Sequence, residues 1–214
     1  MNVNIIEGIS TTGKTQLINK IKEINAHSDE SKFSQFYFSE HLTERIFENS
    51  QNKINPCEHL YKILDFLHYL QETYKASNFY IRNKTIYSVY MERFAISNYV
   101  NGYIDKNELQ NIFESMQENK LIKTNLILLK LSKENIIKSL KSSLKYRNDE
   151  WNKFITSNNG IEQFADKLFK QQEIYEKIAI EFSECYHLEI IEPDKYNFDY
   201  VQIAKHLLKK ENNE

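Results

Sequence analysis

The feature that most constrains how this chain can fold is a loop near its N-terminus that contains two glycines, Gly8 and Gly13. Gly8-Ile9-Ser10-Thr11-Thr12-Gly13-Lys14-Thr15 matches the pattern G-x-x-x-x-G-K-T at every fixed position. The residues before it form a short apolar run typical of a buried strand: Val3, Ile5 and Ile6. The residues after it repeat at helical spacing: Leu17, Ile18, Ile21 and Ile24. A strand, this loop and a helix in that order are the context in which the motif binds phosphate.

The chemistry of this loop, called the phosphate loop below, is anion binding. A loop that wraps a helix N-terminus directs several backbone N–H groups at one point, and the helix dipole adds to the attraction. Gly8 and Gly13 leave clearance that a Cβ would obstruct. Lys14 is placed to reach the β- and γ-phosphates, and Thr15 to ligate Mg²⁺. All eight residues are therefore predicted to bind a nucleoside triphosphate.

The rest of the chain alternates predicted strands with predicted helices. Further strands are expected at about residues 33–38, 85–91, 125–131 and 187–191, and helices at about 14–26, 42–52, 57–79, 94–100, 105–120, 132–145, 161–185 and 200–209. This pattern predicts an α/β fold in three layers, with a parallel sheet of about five strands and helices on both faces. No internal repeat and no domain boundary is evident, so residues 1–214 are predicted to form one domain.

Composition excludes several kinds of partner. The net charge of −2 gives no basic field, so nucleic-acid binding is not expected. Cys57 and Cys185 have no metal-ligand spacing and are expected to be reduced. The N-terminus enters a strand directly instead of a signal peptide, and no apolar run has the length of a membrane span. We expect a soluble, cytoplasmic protein that acts on a small molecule.

Charged residues follow the predicted strands, at the edge where parallel sheets bind ligands. Glu40 follows the second strand, and Glu92 with Arg93 follows the third. A carboxylate beside a phosphate loop can hold Mg²⁺ or its waters, so Glu92 is a candidate metal residue. An arginine there can bind substrate or transferring phosphate with two hydrogen bonds. Arginine is rare in this chain, at four residues against 24 lysines, which makes Arg93 more informative.

These motifs resemble those of a known enzyme group. Glu7-Gly8-Ile9 with Gly13-Lys14-Thr15 resembles the opening of thymidylate kinases and, more loosely, of deoxynucleoside kinases. Glu92-Arg93-x-x-x-Ser97 is similar to the Asp/Glu-Arg-x-x-x-Ser signature that follows the third strand in both. The lysine-rich helix before Arg147 lies where those enzymes carry a small helical lid, here about residues 138–151. The chain thus resembles the P-loop nucleoside and nucleotide kinase superfamily along nearly its whole length.

The resemblance implies a role for each matching residue. The phosphate loop would hold the phosphates of ATP, with Lys14 among the catalytic residues, and Thr15 and Glu92 would organise Mg²⁺. Arg93 would contact the acceptor and the transferred phosphoryl group, and Arg147 would close over them from the lid. Related kinases often dimerise through their long helices, so a homodimer is a further expectation. Residues 192–195 occupy the place where related kinases hold adenine.

The sequence also departs from its relatives at two places. Thymidylate kinases usually carry an acidic residue and then glycine inside the loop, where this chain has Ser10 and Thr11. Their lid usually carries more arginine, whereas this chain has Lys138, Lys141 and Lys145 in that region. Lysine neutralises phosphate charge but cannot make the planar two-bonded contact of arginine.

Glu40 bears on which acceptor is used. In deoxynucleoside kinases a glutamate after the second strand acts as base toward a sugar hydroxyl, while thymidylate kinases tend to place an arginine nearby. A carboxylate within reach of a hydroxyl is a suitable general base, and one that faces a monophosphate would repel it. Glu40 is therefore either the catalytic base or an exposed residue that caps a helix.

The sequence thus predicts an ATP-dependent phosphotransferase whose acceptor is a nucleoside or a nucleoside monophosphate. Two alternatives remain open at this point. The first is a P-loop kinase for another small-molecule hydroxyl, since Glu40 would serve that reaction equally well. The second is a non-catalytic, nucleotide-dependent regulator, although the Asn-Lys-x-Asp and Asp-x-x-Gly motifs of GTPases are not found at a strand end.

Overall fold

A computed structural model of the chain describes residues 1–27, 35–44, 54–76, 87–118, 122–145, 149–157 and 160–213. Within these ranges five strands form one sheet: β1 (Asn2–Glu7), β2 (Gln35–Phe38), β3 (Ser88–Glu92), β4 (Lys123–Leu129) and β5 (His187–Ile191). Their order is β2-β3-β1-β4-β5, and every neighbouring pair is parallel. The prediction of a five-stranded parallel sheet is confirmed, and β1 lies at its centre.

Helices cover both faces of this sheet. Those in the described ranges are α1 (Lys14–Ala26), α2 (Glu40–Thr43), α3 (Pro56–Ala76), α4 (Ala95–Val100), α5 (Lys106–Glu118), α6 (Lys133–Ser143), α7 (Asp149–Ser157), α8 (Ile161–Glu181) and α9 (Tyr200–Asn213). A short 3-10 helix spans Pro193–Tyr196. In the part of the chain that the structure describes, none of the helices is both long and apolar enough to cross a membrane.

The two faces of the sheet have separate cores because successive strand side chains point in opposite directions. Val3 and Ile5 of β1 belong to the larger core, which also contains side chains of α3, α5, α6 and α8. Ile6 belongs to the smaller core, which is built against α1 and α9. These two cores place the sheet as the middle of three layers, as predicted.

Strand register brings the candidate residues to one edge of the sheet. Ile6 pairs with Glu92 on one side and with Ile127 on the other. Phe38 pairs with Met91, so the chain leaves β2 and enters α2 close to the end of β3. The phosphate loop, Glu40 and Arg93 therefore lie at the same carboxyl edge, where ligands bind in parallel sheets.

Several element ends differ from the prediction for local reasons. β4 ends at Leu129 and not at Leu131, because the backbone of Leu131 is hydrogen-bonded to the Gln172 side chain. Leu131 N donates to Gln172 Oε1 at 2.8 Å, and Gln172 Nε2 donates to the Leu131 oxygen at 2.9 Å. The predicted helix at 42–52 begins at Glu40, and residues 45–53 lie outside the described ranges. α9 continues to Asn213, beyond the predicted end at 209.

Candidate active site

The phosphate loop is closed around the Lys14 ammonium group. Lys14 Nζ donates to the backbone oxygens of Gly8 and Ile9, at 2.9 and 2.8 Å. Thr12 Oγ1 donates to the Ile9 oxygen at 3.0 Å, which fixes the middle of the loop. The ammonium charge is thus held by carbonyl dipoles inside the loop, and an incoming phosphate would meet a cation already in position.

The basicity of Lys14 is strongly reduced in this setting. Burial, and then the nearby charge of Arg93, lower the pKa of Lys14 to about 7, while Glu92 acts in the opposite direction. Near neutral pH the side chain is therefore close to the midpoint of its titration. A bound phosphate would favour the charged form and draw a proton onto the amine.

Gly13 is required because α9 covers it. Its φ is 85°, and a Cβ at this position would lie 2.0 Å from the Tyr200 hydroxyl oxygen. The Tyr200 hydroxyl donates to the Thr12 oxygen at 2.9 Å, and burial raises its pKa to about 12. The first residue of α9 is thus a structural part of the phosphate loop, which no local sequence pattern indicated.

Thr11 holds the loop position at which thymidylate kinases prefer glycine. Its φ is 77°, a left-handed conformation that is unfavourable for a β-branched residue. Its backbone oxygen accepts a 3.0 Å hydrogen bond from Ser139 Oγ on α6. Thr11 therefore holds a backbone conformation that glycine adopts more easily, at the cost of local strain.

Thr15 and Glu92 meet at the point where a metal ion is predicted. The Thr15 hydroxyl donates to Glu92 Oε1 at 2.5 Å, and both residues line the same cleft. One hydroxyl and one carboxylate are oxygen donors of the type that Mg²⁺ prefers. Among the described residues no group of three or more His, Cys, Asp or Glu could hold a metal. This donor set fits an ion that takes its remaining ligands from phosphate and water.

Arg93 lies between the phosphate loop and α2. It is 7% exposed, and its left-handed φ of 62° turns the side chain toward the loop. Nη2 donates to Ser10 Oγ at 3.4 Å, and Nε lies 3.2 Å from Glu40 Oε2. Nε also lies 3.0 Å from Oε2 of Glu44, a residue that was not among the predicted site residues.

α2 is fixed to the end of β3, which explains why two carboxylates reach Arg93. The Thr43 hydroxyl donates to the Glu92 oxygen at 2.6 Å, and Asn98 Nδ2 donates to the Thr43 oxygen at 2.9 Å. Glu40 and Glu44 are separated by one helical turn, so both face the same side. That spacing was a signal in the sequence from which Glu44 could have been found.

A second buried group, Glu7, supports the turn that carries Arg93. Its carboxylate accepts from the backbone N–H of Phe94 at 2.8 Å and of Ser97 at 3.3 Å, and from the Ser97 hydroxyl. The Tyr175 hydroxyl donates to Ser97 Oγ at 3.0 Å. Burial raises the pKa of Glu7, and the hydrogen bonds from Ser97 and Phe94 oppose that rise. Ser97 of the sequence signature thus has a structural function.

These residues surround a cleft of about 890 Å³. Among the residues that line it are Ser10, Thr11, Gly13, Lys14, Thr15, Glu40, Glu92, Arg93, Ser139, Ser142, Ser143, Phe198, Asp199, Tyr200 and Val201. The lysines expected from the lid, Lys138, Lys141 and Lys145, are exposed and do not line it; serines of α6 do. Residues 192–195 do not line it either, and Arg147 lies outside the described ranges.

Comparison with known proteins identifies the fold. No protein-family model matches the chain, and no curated protein matches its sequence. Polyphosphate kinase 2 from Arthrobacter aurescens TC1 has a similar structure, with a TM-score of 0.56 at 12% identity over 97% of this chain. The chain has a P-loop kinase fold. The structural match to this P-loop kinase fold covers 66% of the polyphosphate kinase chain.

Two structures of deoxyadenosine kinase from M. mycoides are also similar to this P-loop kinase fold. The one with the products dCMP and a flexible dCDP bound is 14% identical and has a TM-score of 0.44, over 100% of this chain and 99% of that chain. The one with bound dATP is 15% identical and has a TM-score of 0.44, over 100% of both chains.

Proposed function

We propose that this chain is an ATP-dependent phosphotransferase that phosphorylates a nucleoside or a nucleoside monophosphate. The observation that carries the proposal is the position of Arg93. Its guanidinium contacts Ser10 of the phosphate loop at 3.4 Å and Glu40 at 3.2 Å. One cation thus connects the place for a triphosphate with a carboxylate that can serve as base.

The charges around Arg93 favour the attack of a hydroxyl group over that of a phosphate. Glu40 and Glu44 both lie within 3.2 Å of Arg93 Nε, so two carboxylates already compensate this guanidinium. A phosphate monoester at the same place would be repelled by these two carboxylates, and this repulsion would oppose its attraction to the Arg93 guanidinium. We therefore expect a nucleoside hydroxyl to be a better acceptor than a monophosphate.

The proposed reaction is an in-line transfer. Glu40 accepts the proton of the acceptor hydroxyl as that oxygen forms a bond to the γ-phosphorus of ATP. The bond from the γ-phosphorus to the bridging oxygen of the β-phosphate breaks, and ADP leaves. Lys14 and Arg93 stabilise the negative charge that spreads over the phosphoryl oxygens.

Thr15 and Glu92 are the residues that would hold Mg²⁺, which supplies charge neutralisation on the β- and γ-phosphates. The described part of the lid region brings hydroxyl groups to the cleft through Ser139, Ser142 and Ser143. These groups would donate hydrogen bonds to phosphate without adding charge. In this proposal most of the electrostatic stabilisation comes from the phosphate loop and Arg93.

The test is a panel of deoxynucleosides, ribonucleosides and their monophosphates with ATP and Mg²⁺, followed by ADP release and product mass. Because the fold is shared with a polyphosphate kinase, inorganic polyphosphate is included as a second donor. We expect a nucleoside to be phosphorylated by ATP. If ATP binds but no member of the panel is phosphorylated, the nucleoside assignment fails and other small-molecule alcohols are tested.

Two lysine variants separate the loop assignment from the acceptor assignment. Lys14→Ala is expected to abolish transfer, because no other cation lies inside the loop among the described residues. Lys205→Ala, at an exposed position of α9, is the matched control and is expected to keep wild-type turnover. Turnover retained by Lys14→Ala would overturn the loop assignment whatever the acceptor.

A further inference from the structure

Glu44 follows α2 directly and is more deeply buried than Glu40. It is 5% exposed and does not line the cleft, whereas the Glu40 side chain is 18% exposed and does. A buried glutamate is uncommon unless it is paired with a cation. Burial raises the pKa of Glu44, and the charge of Arg93 opposes that rise. Glu44 therefore depends on Arg93 to stay ionised, and it has no direct access to a substrate.

The contacts of Glu44 with Arg93 involve both of its oxygens. Oε1 accepts a hydrogen bond from Arg93 Nη1 at 3.3 Å and another from Asn101 Nδ2. Oε2 lies 3.0 Å from Nε, and both atoms are fully buried without an aligned hydrogen bond. The contact between Glu44 Oε2 and Arg93 Nε is thus purely electrostatic. Glu40 Oε2 lies 3.2 Å from the same Nε atom.

The other end of the Arg93 side chain is fixed by the backbone. Arg93 N donates to the Ile6 oxygen at 2.9 Å, and the next amide, Phe94 N, donates to Glu7. The left-handed turn at Arg93 is thereby held from β1, next to the phosphate loop. These backbone contacts do not fix the side-chain torsion angles of Arg93. The carboxylates beside the guanidinium determine which torsion angles it adopts.

We propose that Glu44 is a positioning residue, which fixes the Arg93 guanidinium from the side away from the cleft and so limits how strongly Glu40 is drawn to it. Without the Glu44 charge, Glu40 becomes the nearest carboxylate to Nε. The guanidinium then turns toward Glu40 and away from Ser10. That Glu44 fixes the Arg93 guanidinium does not rest on the proposed function. The consequence for Glu40 as catalytic base does rest on it.

The first experiment measures Arg93 directly and needs no acceptor. The chain has four arginines, so ¹⁵N-arginine labelling gives at most four Nε–Hε signals by NMR. Arg93→Lys assigns the signal, which we expect to be sharp and slow to exchange because Nε is buried. In Glu44→Gln the signal is expected to broaden or to exchange at least about tenfold faster, whereas Glu40→Gln should leave it protected. An unchanged signal in Glu44→Gln would overturn the proposal.

The second experiment measures the effect on phosphoryl transfer. Glu44→Gln is expected to lower kcat by about 10- to 100-fold, as a misplaced catalytic group does. Its KM for ATP should change by less than about twofold, because Lys14 and its hydrogen bonds to the loop backbone are unchanged. Glu189→Gln removes a carboxylate paired with Lys210 at 2.8 Å outside the cleft, and it should leave both constants unchanged. Equal changes in kcat for Glu44→Gln and Glu189→Gln would contradict the claim that Glu44 affects phosphoryl transfer.

The two experiments also separate this inference from the proposed function. If wild-type protein phosphorylates no acceptor, the proposed function fails while the NMR result still decides the role of Glu44. If Glu44→Gln does not fold, Asn101→Ala takes its place, since it removes one hydrogen bond to Glu44 and no charge. We expect it to broaden the Arg93 signal, and a signal identical to wild type would count against the proposal.

Discussion

Thr15 and Glu92 are 77 positions apart in the chain, yet the hydroxyl of one donates to the carboxylate of the other at 2.5 Å. The contact joins the first turn of α1 to the last residue of β3. It brings together the two oxygen donors that are proposed to organise Mg²⁺. A metal ion that binds here would take the Thr15 hydroxyl and the Glu92 carboxylate as oxygen ligands in place of this hydrogen bond.

Glu92→Gln is expected to weaken Mg²⁺ binding, because an amide oxygen carries no formal charge. The Mg²⁺ concentration that gives half-maximal transfer should rise by about 10- to 100-fold, and calorimetry should show weaker binding of MgATP. Glu118→Gln, at the exposed end of α5, is the control. An unchanged Mg²⁺ requirement with weaker ATP binding would mean that Glu92 positions Thr15 only.

ATP binding is expected to take up a proton above neutral pH. In the free protein Lys14 has a pKa of about 7, below its ordinary value, so at pH 8 most of it is neutral. Bound phosphate favours the ammonium form, and therefore affinity should fall as pH rises above 7, by up to about tenfold per pH unit. Calorimetry at pH 8 in HEPES and in Tris should give an uptake approaching one proton. Lys14→Met should abolish this uptake, and a buffer-independent enthalpy in the wild type would refute it.

Ser97→Ala is expected to destabilise the fold strongly for a one-atom change. It removes the buried hydroxyl that donates to Glu7 Oε2 and accepts from the Tyr175 hydroxyl, while the Phe94 and Ser97 amides still donate to Glu7 Oε1. The expected cost is about 2 to 3 kcal/mol of unfolding free energy, which corresponds to a Tm lower by roughly 4 to 12 °C. Ser115→Ala, whose exposed hydroxyl bonds within α5, should stay within about 0.5 kcal/mol of wild type. Equal Tm values for both variants would contradict this account of Glu7.

Thr11→Gly is expected to stabilise the protein. A non-glycine residue in the left-handed region costs about 1 to 2 kcal/mol, and the greater freedom of glycine in the unfolded chain removes about half of the gain. A net increase of about 0.5 to 1 kcal/mol in unfolding free energy should be seen in urea. Thr12→Gly, which removes the buried bond to the Ile9 oxygen, should have the opposite sign. Destabilisation by Thr11→Gly would show that the loop is not strained there.

Residues that lie within one strand-loop-helix unit could be predicted from the sequence. The placement of the phosphate loop, Glu92 and Arg93 at one edge could be predicted because each lies at the end of a buried strand, and parallel strands bring such positions together. The five-stranded sheet followed from the alternation of apolar runs, since each run is long enough for only one kind of element. In these cases the relevant physics is local to about ten residues.

Residues whose importance depends on distant contacts were not predicted. Tyr200 covers Gly13 from 187 positions away, and nothing in the local pattern at Tyr200 distinguishes it from an ordinary first residue of a helix. Nothing in the local sequence distinguishes Glu7 from the rest of its motif, because its partner Ser97 comes from α4 and Tyr175, which donates to Ser97, comes from α8. The lysines of the lid region stood out in the sequence, but the rotation of α6, which is set by buried Ile136 and Leu140, turns its serines toward the cleft.

The hydrogen bond from Tyr200 to the loop has a consequence for the order of synthesis. A ribosome reaches Tyr200 only 185 residues after it has made the last residue of the phosphate loop, Thr15. Until then Gly13 has no cover and Thr12 lacks one of its donors. A nascent or truncated chain therefore carries every residue of the nucleotide-binding motif without its finished shape. The loop can reach its finished shape only after Tyr200 has been made.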